Sequence, residues 1–273
     1  MGEGQGEGEN DTIDKAIPSL KIRRLNLKRL FWFSLTILLV ASIIFTACSP
    51  TPEKIRVATN ATYPPFTYVD KQTGQLVGFD INLMNLIAEK ENLQVEFIIV
   101  SFKPLLEGMA LGIYDAAVSA ISITEARQKD MLFSQPYFVS GHVVTVFIEN
   151  NTITGKDSLV GKVVGVETGS TSAADVSEMK GVIAKYYVDF PEAFEDLMNG
   201  KIDAVVSDST IASIYVANYP DKLKIAGEPF TQENYGIAVA KNKPELLVKI
   251  NAGLSALKSE GMLDQLTQKW LPQ

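Results

Sequence analysis

The chain has 273 residues, of which 25 are Lys or Arg and 32 are Asp or Glu, so its formal net charge is −7 at pH 7. Beyond its N-terminal segment the chain is acidic and has no basic cluster, so nucleic acid is not expected as a partner. The single His and the single Cys argue against a zinc site and against a Cys–His nucleophile pair. Neither a metal nor a cofactor is predicted.

The N-terminal segment has the composition of a leader. Residues 1–29 are Gly- and Glu-rich, end in a basic cluster, and are expected to be disordered. The apolar run 30–47 is long enough for a membrane span, but the basic residues before it and the small residues at its end also fit a signal peptide. Cys48 has no intramolecular disulfide partner, and its setting resembles a bacterial lipobox, which implies lipidation. An uncleaved anchor is the alternative; either one places the remaining chain, with residues 48–52 as a tether, outside the cytoplasmic membrane.

The first part of the folded chain is predicted to be a βα series. Strands are predicted at 54–59 and 94–100 from alternating or β-branched residues. A helix over 81–90 lies between them, with apolar residues at helical spacing and Asp80 as its N-cap. A second helix, opened by a proline, is predicted over 104–111.

Aromatic residues follow both predicted strands. Tyr63 and Phe66 come after the first, and Phe102 comes directly after the second. At the carboxyl ends of strands such side chains form either a pocket wall or part of the core, and the pattern leaves both open.

A short strand over 114–120 is followed by hydroxyl side chains and an arginine. Ser122 or Thr124 can cap a short helix, which would present free backbone N–H groups at the carboxyl end of the strand. Arg127 lies in the first turn of that helix, where a cation is unfavourable against the helix dipole. A bound anion such as a carboxylate, held by the guanidinium through two hydrogen bonds, would explain a cation at this position. A surface salt bridge is the alternative explanation.

The same pattern occurs twice. Residues 200–207 repeat residues 112–119 as Gly-x-x-Asp-Ala-x-Val-Ser. The first copy is followed by Arg127, and the second by Asp208. Two similar units facing each other would therefore offer a cation and a carboxylate, which suits a zwitterion.

A long apolar strand over 138–148 is interrupted at Gly141, which predicts a bend or hinge. His142 beside it is expected to be a packed residue of the hinge rather than a catalyst. The strand 163–166 then leads into a Gly-Ser-Thr loop at 169–171 and a helix from about residue 173. That loop again supplies N–H donors for an anion; phosphate is the rival ligand, but no Walker lysine accompanies it.

These motifs together resemble the extracytoplasmic solute-binding proteins of amino-acid ABC importers. The resemblance lies in the segments 58–66, 78–83, 119–127, 133–137, 164–171 and 203–208. It implies an α/β fold of the periplasmic-binding-protein type II, with a ligand cleft between two lobes joined by two hinge strands. Lobe 1 would comprise residues 53–140 plus 237–273, and lobe 2 residues 141–236.

The resemblance also implies roles for individual residues. Arg127 would hold the ligand α-carboxylate, assisted by backbone N–H groups of Ser122 and Thr171. Asp208 would bind the α-ammonium, together with the Ser122 hydroxyl and a carbonyl at the end of the first repeat. The residues implied for the zwitterion are Ser119, Ala120, Ser122, Arg127, Thr171 and Asp208.

The ligand side chain would lie between Tyr63 and Phe102, with Asn60, Glu167 and Ser172 at its tip. A carboxylate and aromatic faces favour arginine, lysine or histidine, whereas an amide at position 60 could suit glutamine instead. The predicted partners are a free L-amino acid and the permease subunits, and the protein is expected to be a monomer.

Two other classes remain open. The same fold hosts periplasmic dehydratases of the cyclohexadienyl or arogenate type, so an enzyme is the first alternative. The sequence offers no acid–base pair apart from Glu167 and Asp208, and a zwitterion already accounts for Asp208. A membrane-anchored sensor would use the run 30–47 as its anchor, but only a short segment precedes that run for an output domain.

Overall fold

A computed structural model of the chain describes residues 53–271. The predicted leader 1–29, the apolar run 30–47, Cys48 and the tether 48–52 lie outside the described residues, as do the last two residues. Within 53–271, every helix is too short or too polar to cross a membrane.

Strands and helices alternate along most of residues 53–271, as predicted. The strands are β1 Glu53–Thr59, β2 Thr62–Tyr63, β3 Thr67–Val69, β4 Leu76–Val77, β5 Leu93–Ile99, β6 Ala116–Ala117, β7 Met131–Phe133, β8 Phe138–Ser140, β9 His142–Phe147, β10 Val163–Glu167, β11 Ile183–Tyr187, β12 Ala204–Asp208, β13 Leu223–Ala226, β14 Glu233–Tyr235 and β15 Ala238–Ala240. The helices are α1 Phe79–Lys90, α2 Phe102–Ala110, α3 Glu125–Gln128, α4 Thr171–Glu178, α5 Phe190–Met198, α6 Ser209–Asn218, α7 Pro244–Ser259 and α8 Met262–Trp270, with a 3₁₀ turn at Lys156–Ser158.

Ten of these fifteen strands form two five-stranded sheets, while β2, β3 and β4 form a three-stranded sheet and β8 pairs with β14. The first has the order β5-β1-β6-β15-β7, with β1 parallel to both neighbours and β15 antiparallel to β6 and β7. The second has the order β11-β10-β12-β9-β13, with β10 parallel to its neighbours and β9 antiparallel to β12 and β13. Each sheet therefore pairs parallel βα units with antiparallel strands from a later or earlier part of the chain.

Helices cover both sheets with apolar faces. In the first lobe, Leu83 and Ile87 of α1 pack in one buried cluster with Ile250 and Leu254 of α7. The spacing of these residues, three to four positions apart, places them on one face of each helix. This confirms the two-lobed α/β class that the sequence predicts.

The two sequence repeats occupy equivalent positions in the two sheets. Gly112 and Gly200 follow α2 and α5 with φ values of 68° and 69°, a left-handed conformation that favours glycine after a helix. The Asp115 carboxylate accepts from the backbone N–H of Arg56 at 2.7 Å, and the Asp203 carboxylate accepts from that of Val163 at 2.7 Å. Each aspartate thus ties the start of its own strand to the neighbouring parallel strand, β1 in the first sheet and β10 in the second.

The chain passes between the sheets at β8 and β14, which pair antiparallel. Gly141 separates β8 from β9, at the predicted interruption. A Cβ at this position would lie 2.2 Å from the carbonyl oxygen of Thr231, so only glycine allows this approach of the two crossing segments. The lobe bounds themselves stay predictions, because they describe which residues move together.

Three local predictions are wrong. The N-cap of α1 is Gly78, and Asp80 instead lies fully buried in the first turn. The central strand shortens to Ala116–Ala117 because the chain turns at Ala120, which has a φ of 47°. Helix α2 begins at Phe102 rather than at residue 104.

Candidate functional site

A cleft between the two sheets contains a small cavity that is partly open to solvent. Ten of the eleven residues predicted for the site line it; Ser172 does not, and Ser170 and Phe190 are added. Ser172 is buried, with its hydroxyl 2.8 Å from that of Ser170. The lining residues are Asn60, Tyr63, Phe102, Ser119, Ala120, Ser122, Arg127, Glu167, Ser170, Thr171, Phe190 and Asp208.

Arg127 reaches the cleft from α3, whose N-cap is Thr124; the Thr124 hydroxyl accepts from the Arg127 N–H at 3.2 Å. The guanidinium donates to the carbonyl of Ser122 at 2.8 Å and, across the cleft, to that of Gly169 at 3.1 Å. It also lies over the Phe102 ring, 5.5 Å from the centroid. Two of the five N–H donors are thus used, and the group is oriented by both sides of the cleft.

Three carboxylates surround this cation. Burial lowers the pKa of Arg127 from its usual value, and the charges of Glu233, Asp208 and Glu167 oppose that shift. An arginine remains protonated in such surroundings. The cleft therefore presents one fixed positive charge among several acidic groups.

Asp208 is the last residue of β12, at the strand end that the second repeat predicts. One of its oxygens, Oδ2, accepts a hydrogen bond from the Tyr63 hydroxyl, while Oδ1 is buried and has no hydrogen-bond partner among residues 53–271. Burial raises the pKa of Asp208, and the charge of His142 and the bond from Tyr63 oppose the rise. Oδ1 makes no hydrogen bond within the described part of the chain, but it lies 3.5 Å from the Nε2 of His142.

Glu167 ends β10 and is 2% exposed. Its carboxylate accepts from the Asn60 amide at 3.2 Å. Burial raises its pKa well above the usual value, the charges of Asp189 and Asp208 add to this, and Arg127 and Asn60 oppose it. A further cation in the cleft would stabilise the ionised form of this group.

Glu233, which the sequence analysis did not single out, connects hydroxyls from both sides of the cleft. It accepts from Ser122 at 2.5 Å and from Thr171 at 2.8 Å. Burial alone would raise the pKa of Glu233, but the hydrogen bond and charge of His142 lower it to about 2. Glu233 is the first residue of β14, one of the two paired strands at which the chain passes between the sheets, and the sequence carries no motif at this position.

His142 lies among three carboxylates. Its Nδ1 is 2.8 Å from Asp175, and its Nε2 is 3.5 Å from both Asp208 and Glu233. Burial would lower its pKa, but the bonds and charges of Glu233, Asp208 and Asp175 raise it to about 9. His142, Asp208 and Glu233 bring three ligand-type atoms within 4.8 Å of one another. The raised pKa of His142 and the lowered pKa of Glu233 both indicate an imidazolium that is paired with carboxylates. His142 therefore carries a charge, in addition to the packing that the sequence predicts for it.

Of the two lining residues that the sequence analysis did not predict, Ser170 has a local sequence signal and Phe190 has none. Ser170 stands in the Gly-Ser-Thr loop that the sequence already marked as a donor site, and its hydroxyl caps α4. Phe190 opens α5, and its ring centroid is 5.7 Å from that of Tyr63. A lone phenylalanine at a helix start carries no local signal of a cleft.

The family model for bacterial extracellular solute-binding proteins, family 3, matches residues 55–273. The chain is 32% identical over 241 residues to ABC transporter arginine-binding protein 1 of Escherichia coli strain K12, across 86% of this chain and 97% of that protein. Two solved structures of an ancestral arginine-binding protein, bound to arginine and to glutamine, superpose with a TM-score of 0.77 each. Their sequence identities are 41% and 42%, and each comparison covers 81% of this chain and 99% of that one.

The two sheets and the cleft between them define a type II periplasmic binding protein. Within that class, the chain belongs to the bacterial extracellular solute-binding proteins, family 3.

Proposed function

We propose that this chain is the substrate-binding component of an amino-acid ABC importer, which closes over a free L-amino acid and delivers it to the permease. The observation that carries the proposal is that Arg127 and Asp208, each of which follows one of the two repeats, line one cavity. A receptor needs no chemical step, and we expect the bound amino acid to be released unchanged.

The cleft has groups for both ends of a zwitterion. The ligand α-carboxylate would accept from the unused Arg127 donors and from backbone N–H groups of Ser122 and Thr171. The α-ammonium would donate to the Oδ1 of Asp208, which makes no hydrogen bond among residues 53–271, and to a carbonyl of Ser119 or Ala120. A buried acceptor that makes no hydrogen bond carries a free-energy cost, and a hydrogen bond from the ligand ammonium would reduce that cost.

The remaining walls favour a cationic side chain. Tyr63, Phe102 and Phe190 supply aromatic faces, and Asn60 and Glu167 supply polar groups. Burial, with the charges of Asp189 and Asp208, raises the pKa of Glu167, and a ligand cation beside this carboxylate would favour its ionised form. We therefore rank arginine, lysine and histidine first, in keeping with the arginine-bound neighbour, and glutamine next.

The membrane association rests on the sequence alone. We propose that Cys48 is lipidated after removal of the leader and anchors the protein outside the cytoplasmic membrane. A Cys48→Ala variant should move from the detergent phase to the aqueous phase in a partition assay of cells. Unchanged partition, with the leader still present by mass spectrometry, would favour the uncleaved anchor.

The function is tested by thermal unfolding of the purified protein against all twenty amino acids. A ligand at about 100 times its dissociation constant should add about 2.7 kcal/mol to the free energy of unfolding. A raised midpoint with basic amino acids supports the proposed ranking, and one with glutamine alone would reverse it. If no amino acid shifts the midpoint, the proposal is wrong and turnover of a cyclohexadienyl acid becomes the next assay.

A further inference from the structure

Ala120 adopts a left-handed backbone conformation, with a φ of 47°. Asn92 is the other non-glycine residue with positive φ in the described part of the chain. The Cβ of alanine disfavours this conformation, so surrounding contacts must hold it. Residues kept in such regions cluster at ligand clamps and switch segments.

The strained turn lies at the wall of the cleft. Ser119, Ala120 and Ser122 all line the cavity. On one side of the turn, the Ser119 hydroxyl accepts from the backbone N–H of Asn60 at 3.0 Å. On the other side, the carbonyl of Ser122 accepts from Arg127. The conformation of Ala120 therefore sets the directions of the backbone groups on both sides of it.

The contact that holds this turn comes from Asp80, 40 positions earlier in the chain. Its Oδ2 accepts from the backbone N–H of Ala120 at 2.7 Å. Asp80 is fully buried and is not a lining residue of the cavity. It cannot touch a ligand, but it touches a residue that can.

The residues around Gly78 hold Asp80 close to Ala120. Gly78 packs so close to Phe66 that a Cβ would lie 2.1 Å from the Phe66 carbonyl oxygen. The same carbonyl accepts from the Asp80 N–H at 2.9 Å. The Phe79 ring stacks on Tyr137, with centroids 5.9 Å apart. The Gly-Phe-Asp run thus fixes the Asp80 carboxylate against the turn at Ala120. These contacts go beyond those that the start of a helix needs.

A buried carboxylate at this position is costly. Burial raises the pKa of Asp80 to about 7, and the Ala120 N–H and the Tyr137 hydroxyl oppose the rise. Among residues 53–271, the Ala120 N–H bonds to Oδ2, while Oδ1 is buried and makes no hydrogen bond. No charged side chain among residues 53–271 contributes to the shift, so the carboxylate is not retained for an ion pair.

We propose that Asp80 is a positioning residue for ligand binding, holding Ala120 in its left-handed conformation so that the backbone of residues 119–122 is preorganised for the ligand. This rests on the proposed function of the cleft. Without the contact, the turn would populate its binding conformation for only a fraction of the time, and the apparent affinity would fall by that fraction.

A double-mutant cycle between residues 80 and 120 tests the proposal, with dissociation constants measured by calorimetry for the amino acid that binds the parent best. Asp80→Ala should weaken binding about 10-fold or more, because the Ala120 N–H loses its buried acceptor. Asp80→Asn, which keeps an acceptor oxygen, is the matched control and should bind within about 3-fold of the parent. Ala120→Gly should restore most of the affinity in the Asp80→Ala background, because glycine adopts positive φ without a clamp.

Two results would overturn the proposal. In the first, Asp80→Ala binds as tightly as the parent; in the second, Ala120→Gly fails to restore the affinity that Asp80→Ala has lost. If Asp80→Ala does not fold, Asp80→Ala/Ala120→Gly must fold and bind like Ala120→Gly, and its failure to do so counts against the proposal.

Hydrogen exchange separates this idea from the proposed function, because it needs no ligand. The Ala120 amide should exchange slowly in the parent and in Asp80→Asn, and much faster in Asp80→Ala. Slow exchange in the parent without binding of any amino acid would leave the clamp supported and the receptor function wrong. Equal exchange in the parent and Asp80→Ala would contradict the clamp itself.

Discussion

At the scale of single residues, the cleft is defined by one arginine among acidic groups. Arg127 already bonds to carbonyls on both sides, so its position does not depend on the ligand. Preorganised donors of this kind lose little freedom when an anion binds. The guanidinium is therefore the group whose removal should weaken binding most.

Arg127→Ala should weaken binding of the best amino acid by about 2–5 kcal/mol, because it leaves a buried ligand carboxylate without its charged partner. Calorimetry measures the change. Arg56→Ala is a matched control, since Arg56 is exposed in the same lobe and contacts the carbonyl of Ile113 outside the cleft. Equal affinities of parent and Arg127→Ala would contradict the assigned role.

Glu167→Gln should weaken binding of arginine or lysine more than binding of glutamine, because only the cationic side chains gain from the charge at this position. Since the pKa of Glu167 is raised, a bound cation should also release protons from the parent below that pKa. Calorimetry in buffers of different ionisation enthalpy would show this release. Equal losses for charged and neutral ligands would contradict a charge-pairing role.

At the scale of secondary-structure elements, the crossing between the lobes carries a charge cluster. His142 on β9 faces Asp175 from α4, Asp208 from β12 and Glu233 from β14, with the Phe230 ring beside it. Four elements therefore meet at one imidazolium. This gives the crossing an electrostatic role in addition to the tight packing at Gly141.

The stability of the crossing should depend on pH. The pKa of His142 is about 9 in the folded chain, against 6.5 ordinarily, so its stabilisation is complete below pH 6.5 and is lost as the pH rises through about 9. The free energy of unfolding of the parent should fall over this range relative to His142→Gln. Parallel pH profiles of the two proteins from pH 6 to 10 would contradict an ion-paired histidine.

At the scale of the whole molecule, contacts across the cleft join the two lobes. Tyr63 reaches Asp208, Arg127 reaches Gly169, and Glu233 accepts from hydroxyls on both sides. Burial raises the pKa values of Glu167 and Asp208, and neighbouring carboxylates add to both shifts, so the ionised forms of these groups are costly in the cleft. A ligand ammonium would offset that cost, so closure and binding should be coupled.

Small-angle X-ray scattering should therefore show a smaller radius of gyration when the best amino acid is added at saturation. Arg127→Ala, with the same concentration of amino acid, should keep the larger value. An unchanged radius in the parent, with binding shown by calorimetry, would contradict closure as the mechanism.

Several features of this protein follow from the sequence alone. The repeat of Gly-x-x-Asp-Ala-x-Val-Ser is followed by Arg127 after one copy and by Asp208 after the other, and both residues line the cavity. The interruption at Gly141 also lies where the sequence predicts it. These features depend on local rules, since helix ends, strand periodicity and glycine conformations are set by residues close together in the chain.

Only the tertiary structure shows how residues distant in sequence share one environment. Asp80 has the signature of a helix start, yet its carboxylate binds the N–H of Ala120. Glu233 lies in a crossing segment without a motif, yet it joins hydroxyls 111 and 62 positions away. Burial and the charges of chain neighbours and remote groups then set the pKa values, and no local pattern encodes that balance. The sequence therefore determined the class and the two charged ends of the cleft, while packing decided what positions them.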